Sequence, residues 1–323
     1  MSHGRVITSG FSPPWWLRNP HLQTFWPVLF RRQSSLSHRP ERLELPDGDF
    51  VDLCWTGPDH GPLVIVLHGL QGSIRSPYAV GILRALAARG IRGVLMHFRG
   101  CSGQPNRLAR GYHSGETGDL RFLLSTLRQR EPETPLAAIG YSLGGNVLLK
   151  YLGEAGPETP LRAGVAVSVP LVLRTASDRL GAGLSRIYDR YLLRALLAGA
   201  KRKAPLLRAA GLDVEAVLGC RSIRAFDEHL TAPLHGFSDA SDYYTRCSSR
   251  GFLKAIRRPT LILHASDDPF MRPEVVPDAS ELAASVTLEL SSGGGHVGFV
   301  SGFGRYWLEE RIPEFVSSVL LPS

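Results

Sequence analysis

The feature that most constrains how this chain can fold is the pentapeptide Gly140-Tyr141-Ser142-Leu143-Gly144, set between an apolar strand pattern and a helix. Residues 135–139 read as a short buried strand, and residues 145–152 continue as a helix. A serine at such a strand-to-helix turn is lifted onto a tight elbow, its Oγ exposed above the edge of a parallel sheet. Gly140 and Gly144 fit because the turn is strained and the new helix must pass close to neighbouring strands. In a chain with 34 glycines the pentapeptide alone is a modest signal. Its weight depends on whether partners for a reactive serine follow.

They follow in order. Residues 259–264 read as another buried strand and end in Ala265-Ser266-Asp267-Asp268-Pro269, while residues 286–290 read as a strand entering Gly293-Gly294-Gly295-His296. A serine, an aspartate and a histidine thus each fall just past the C-terminal end of a strand. That is the chain order of an α/β-hydrolase fold, at the edge where open α/β sheets place their chemistry.

The remaining pattern agrees. Residues 41–45 and 49–55 alternate as an antiparallel edge hairpin around the turn at 46–48, and residues 63–67 form an apolar run covered on both faces. Helix at 78–89, strand at 93–98, helix at 115–130 and strand at 163–169 complete a βαβ series, hence a mostly parallel central sheet flanked by helices. The rhythm breaks after Pro170 and resumes at Pro259, closing with a helix over 306–319. The expected organisation is an aromatic-rich N-terminal segment at 1–40 packed on the core, core at 41–170, a mostly helical insertion or cap at 171–258 near the active site, and core again at 259–323.

Composition narrows the function classes. A chain of 323 residues that is 43% hydrophobic can bury a large core. Its four cysteines are widely spaced, without a C-x-x-C pair, so neither a zinc framework nor a disulfide scaffold is expected. A reducing, cytoplasmic setting follows, and no signal core or transmembrane segment is read. The net charge of +8 comes mainly from scattered arginines without a nucleic-acid-binding module, so nucleic acid is not an expected partner. A diffuse positive field suits anionic substrates or transient contact with a membrane surface. Oligomeric state is not legible.

Ser142 is the candidate nucleophile, His296 its general base, and Asp268 the group that fixes the imidazole tautomer and stabilises the imidazolium. Asp267 is the alternative to Asp268; in the preferred assignment it fixes its loop through local backbone hydrogen bonds. The oxyanion donors are expected to be the backbone N–H groups of Leu143 and, after the strand at 63–67, of Leu70, which follows the flexible Gly69. His68 braces that loop. His97, His113 and His264, with Glu116 and Asp119, lack metal-ligand spacing and read as loop histidines, so no metal and no cofactor is expected. Arg99 reads as a tie for the wall loop.

Several segments together resemble the YheT-like branch of the α/β-hydrolases, related to the eukaryotic ABHD proteins. They are Trp15-Trp16-Leu17-Arg18-Asn19-Pro20-His21-Leu22-Gln23-Thr24, His68-Gly69-Leu70-Gln71-Gly72, Phe98-Arg99-Gly100-Cys101-Ser102-Gly103 and Tyr112-His113-Ser114-Gly115. The likeness continues through Gly140 to Asn146 and Asp267-Asp268-Pro269-Phe270. It implies a serine esterase of the carboxylesterase kind, with lipid ester hydrolysis or acyl transfer in some eukaryotic relatives. Those relatives often carry an N-terminal membrane anchor, which is not expected here. The expected reaction is cleavage of a small ester or lipid-like acyl substrate of short to medium chain through an acyl-enzyme. Acyl transfer to an alcohol, monoacylglycerol hydrolysis and an inactive interaction protein are the alternatives.

Overall fold

Apolar runs without alternation can be satisfied only by cover on both faces, and the sheet is built around five of them. The computed structural model describes residues 3–31 and 36–321; the parts of the N-terminal segment and of the last core section at 1–2, 32–35 and 322–323 lie outside the described residues. In chain order the main-sheet strands are β1 (Arg5–Thr8), β2 (Arg39–Glu44), β3 (Phe50–Thr56), β4 (Leu63–Leu67), β5 (Arg92–Met96), β6 (Leu136–Tyr141), β7 (Leu161–Val167), β8 (Thr260–Ala265) and β9 (Val286–Ser291). They form one nine-stranded sheet in the order β1-β9-β8-β7-β6-β4-β5-β3-β2. The pairings from β5 through β4, β6, β7, β8 and β9 to β1 are all parallel, and β3 joins β5 and β2 antiparallel.

Alternate residues of each strand feed opposite cores. Leu63, Ile65 and Leu67 of β4 pack with Leu120, Leu124, Val147 and Leu148, from the helices Gly118–Arg130 and Leu143–Ala155. Val64 and Val66 pack with Ile82, Leu86, Leu308 and Ile312, from the helices Pro77–Ala87 and Leu308–Leu320. This three-layer stack carries the C-terminal ends of β4, β6, β8 and β9 to one edge.

Three elements differ from the sequence expectation. The first strand of the sheet is β1, ahead of the aromatic segment; it is a four-residue edge strand with an exposed burial pattern, too short and too solvated to show a period. The last helix starts at Leu308, because Tyr306 pairs in a small hairpin, Val300–Gly302 with Arg305–Tyr306. Between Leu171 and Arg258 the chain is helical, but its last turns, Ser249–Ala255, pack on the helix Leu143–Ala155. There a Cβ on Gly153 would lie 2.5 Å from Phe252 O. Among the described residues no helix is long and apolar enough to cross a membrane.

The wall loop after β5 is tied by Arg99. Its guanidinium meets both oxygens of Asp119 at 2.8 and 2.7 Å, Asp47 at 2.7 Å and Asp49 at 3.3 Å, and is almost wholly buried. Removing one member of such a buried network leaves the others uncompensated. Arg99→Met should therefore lower the unfolding free energy in urea by about 3–5 kcal/mol; a loss within error of zero would show that these carboxylates do not need the cation.

Candidate active site

Ser142 sits on a strained turn with φ 51° and ψ −117°, its N–H donating to Val167 O at 2.8 Å. A Cβ on Gly140 would lie 2.4 Å from Gly144 O, and one on Gly144 2.5 Å from Leu67 O. The pentapeptide glycines are therefore required by close backbone approach. The turn holds the start of the helix Leu143–Ala155 against the end of β4, beside the loop at 68–72.

That loop is fixed at several points. His68 donates from Nδ1 to Gly69 O at 2.7 Å and accepts the Phe98 N–H on Nε2 at 3.1 Å; burial pushes its pKa down to about 3, so the ring is neutral. Gly69 N donates to the Tyr78 hydroxyl at 2.8 Å, Gln71 N to the Tyr112 hydroxyl at 2.9 Å and Gly72 N to Gly69 O at 2.9 Å. The N–H groups of Leu70 and Leu143 make no hydrogen bond among the described residues. A Cβ on Gly69 would lie 3.4 Å from Ser142 Cβ, so the loop passes directly beside the serine.

His296 completes a hydrogen-bonded chain: its Nε2 is 3.0 Å from Ser142 Oγ and its Nδ1 2.8 Å from Asp268 Oδ2. The buried Asp268 also accepts the Phe270 N–H on Oδ1 at 2.8 Å. The Phe270 ring stacks on the imidazole with centroids 3.9 Å apart and planes within 4°. Asp267 turns the other way and accepts the Gly295 N–H at 2.9 Å. Its bond is not confined to its own loop: it pins the loop that carries the histidine. Burial raises its carboxyl above the ordinary value, against the pull of the Gly295 N–H.

The feature missed in the sequence is how the histidine loop is held. The helix Pro20–Phe30 is capped by the Asn19 side chain, which accepts the His21 and Leu22 N–H groups at 2.9 and 3.2 Å. Behind the cap, the buried Gln23 amide donates to Leu17 O and Val300 O at 3.0 and 3.1 Å and accepts the Val300 N–H at 2.8 Å. Thr24 Oγ1 donates to Pro20 O at 2.8 Å and accepts the His296 N–H at 2.9 Å. Gly298 lies against the same helix, where a Cβ would come within 2.3 Å of Gln23 O. The segment 19–24 is thus a clamp on the loop; the motif was visible in the sequence, its target was not.

The other histidines have separate partners. His97 accepts the Ile74 N–H on Nε2 at 3.1 Å and donates from Nδ1 to Asp52 O at 3.1 Å. His113, Glu116 and His235 bring ligand atoms within 4.8 Å of one another, a grouping that the distant position of His235 hides from the sequence. His113 Nδ1 accepts the Gly115 N–H at 3.1 Å, which puts the ring proton on Nε2, and Glu116 is paired with Arg110. Glu116 also lies 3.8 Å from His113 Nε2, and the His235 ring packs on that of His113 with centroids 4.6 Å apart. His264 is buried on β8, one residue from the strand's end. A cavity of about 880 Å³, lined in part by Asp52, Ile74 and His97, contains none of the Ser142–His296–Asp268 groups. A smaller one of about 100 Å³ lies under the helical segment and is lined by Gln71, Tyr112, Leu196, Ala200, Phe226 and Leu230.

Comparison with known proteins supports this architecture. Residues 62–303 match the family model described as alpha/beta hydrolase fold. The Escherichia coli (strain K12) protein YheT, named as an esterase, is 46% identical over 96% of this chain and 94% of its own length. Phospholipase ABHD3 of Bos taurus is 30% identical over 98% of this chain and 80% of its own length. Among solved structures, the Pyrococcus furiosus esterase Pf2001 superimposes with a TM-score of 0.58 at 17% identity, over 96% of this chain and 100% of that one, a likeness of fold.

Neutral buried histidines make stability depend on pH. The pKa of His235, like that of His68, is pushed by burial to about 3, and those of His97 and His264 are also lowered by burial. With unfolded values near about 6.5, the unfolded chain takes up protons first, so stability is full above that pH and is lost as pH falls below it. Denaturant midpoints should drop steadily from about pH 6.5 to pH 4, with a slope of up to about 1.4 kcal/mol per pH unit for each such histidine. A flat profile across that window would contradict neutral burial.

Proposed function

The chain is a hydrolase of the α/β fold belonging to the YheT-like branch related to the ABHD proteins, and from that premise we propose that it cleaves carboxylic esters of short to medium acyl chain through an acyl-enzyme on Ser142. The observation that carries the reading is the continuous chain Asp268–His296–Ser142, at 2.8 and 3.0 Å. In this proposal His296 Nε2 takes the Ser142 hydroxyl proton as Oγ bonds to the ester carbonyl carbon. The resulting oxyanion receives the N–H groups of Leu70 and Leu143, whose loss typically costs about 2.7–4 kcal/mol each. Collapse breaks the bond to the alcohol oxygen, which leaves with the proton from His296. Water then attacks the acyl-enzyme by the reverse sequence and releases the acid.

The helical segment 171–258 is the proposed cap. The cavity of about 100 Å³ beneath it reaches the oxyanion loop only at Gln71 and carries Arg99, Arg202 and Lys203 in its wall, so the acyl-chain length rests on the kinetic series below. A lipid ester is the second reading, favoured by the likeness to a protein named phospholipase ABHD3. Unpaired cysteines support a cytoplasmic setting.

A fluorophosphonate should add once per chain, on Ser142 by peptide mapping, and Ser142→Ala should lose both the adduct and turnover. An active protein whose turnover survives that substitution would sink the assignment. In an acyl series, rates should peak at short to medium chains; a steady rise to long chains would transfer the reading to lipid esters.

The two aspartates separate cleanly. Asp268→Asn should lower kcat by orders of magnitude, since an amide cannot hold the same tautomer and charge. Asp267→Asn keeps an acceptor for the Gly295 N–H and should cost far less. The reverse ranking would move the role to Asp267.

A further inference from the structure

The two elements that border the site carry an outward face that nothing among the described residues covers. On the helix Arg186–Arg202, Ile187 and Tyr191 stand on one side with 57% and 72% of their surface exposed, beside an exposed row of Arg186, Arg190 and Arg194 at four-residue spacing. None of these arginines forms an ion pair with a carboxylate among the described residues. Asp189, the acid on the same helix, is buried and accepts the Ile223 N–H. Tyr188, between the exposed pair, turns inward, with its hydroxyl 2.9 Å from His21 Nδ1 and its ring stacked on Phe25.

The helix Pro20–Phe30 adjoins it through His21 and Phe25, which both contact Tyr188. Leu22, Trp26 and Leu29 share one side by helical spacing, and Leu22 and Leu29 are exposed. Trp26 touches Trp16, Phe30 and Phe303, and Trp16 stacks on Phe303 at 4.7 Å. Phe303 in this cluster and Trp15, next in sequence to Trp16, are 79% and 81% exposed.

We propose that this face docks on the surface of an anionic phospholipid bilayer, seating aromatic and aliphatic side chains at the headgroup level with the arginine row against lipid phosphates. An apolar row beside a cationic row on one helix is the pattern of an interfacial element, and exposed tryptophan and tyrosine suit a boundary that is apolar on one side and wet on the other. The charge selects the occupant. A second copy of this chain would bring two arginine rows together, whereas an anionic surface neutralises them. Both elements also touch the site, through Thr24 to the His296 N–H and through Tyr188 to Phe270, which stacks on His296. Docking therefore brings to the lipid boundary the two elements that pack against the His296 loop.

The test uses the full chain carrying Ser142→Ala, so that failure of the hydrolase reading leaves it intact. It should co-sediment with vesicles of equal parts phosphatidylglycerol and phosphatidylcholine at low salt, with a blue shift of tryptophan emission, and much less with pure phosphatidylcholine. Raising the salt to about 0.5 M should release it, because screening shortens the reach of the arginines. Combined Arg186→Gln, Arg190→Gln and Arg194→Gln should weaken binding about a hundredfold. Ile187→Ser with Tyr191→Ser should weaken it too, with turnover of a water-soluble ester unchanged in the otherwise wild-type chain. Absence of retention on anionic vesicles, retention indifferent to salt and to both variants, or self-association in sedimentation velocity without vesicle binding would each overturn the proposal.

Discussion

The close approach of the helix Leu143–Ala155 to the end of β4 is the constraint on which the site depends. Gly144 lies where any side chain would strike the carbonyls of Leu67 and His68, and Gly140 where it would strike Gly144 itself. This contact forces Ser142 into a backbone conformation that costs of order 1–3 kcal/mol for a residue other than glycine. It also sets the start of that helix beside the loop at 68–72, where a Cβ on Gly69 would lie 3.4 Å from Ser142 Cβ. The position of Ser142 and the proposed oxyanion pocket would therefore be one steric consequence of the same contact.

Much of this was legible because it is local. The serine elbow, the buried strands and the aspartate and histidine past strand ends all announce themselves within a few residues, through periodicity or glycine spacing. The grip of Gln23 and Thr24 on the histidine loop was not legible, since it joins positions more than 270 residues apart. The same holds for His235 beside His113. β1 escaped notice because an exposed edge strand of four residues carries no alternation. Asp267 was read as a local loop brace, whereas its carboxylate crosses to Gly295, a contact that exists only once β8 and β9 are paired.

Charge is handled differently in the scaffold and in the site. Around Arg99, full ion pairs tie the wall loop, and His68 and His97 brace their loops as neutral rings with donor and acceptor both used. These groups gain from not changing state. The Asp268–His296 pair is placed so that a charge arising on the ring already has a buried carboxylate against it. Phe270 covers the imidazole face, which keeps water from that side while leaving Nε2 turned to Ser142. A scaffold whose charges are already paired, around one hydrogen-bonded carboxylate and imidazole, suits the acid–base step proposed for Ser142.

The N-terminal segment joins position and access. Gln23 and Thr24 face the histidine loop from the helix Pro20–Phe30, while Leu22 and Leu29 of the same helix face outward. Tyr188 makes the matching connection from the roof, bonded to His21 on one side and packed on Phe270 on the other. Both helices therefore reach the site from their inner sides, through Thr24 to the His296 N–H and through Tyr188 to Phe270. The apolar surface outside can thus be engaged without loosening the geometry inside, which is what a site opening onto an interface has to achieve.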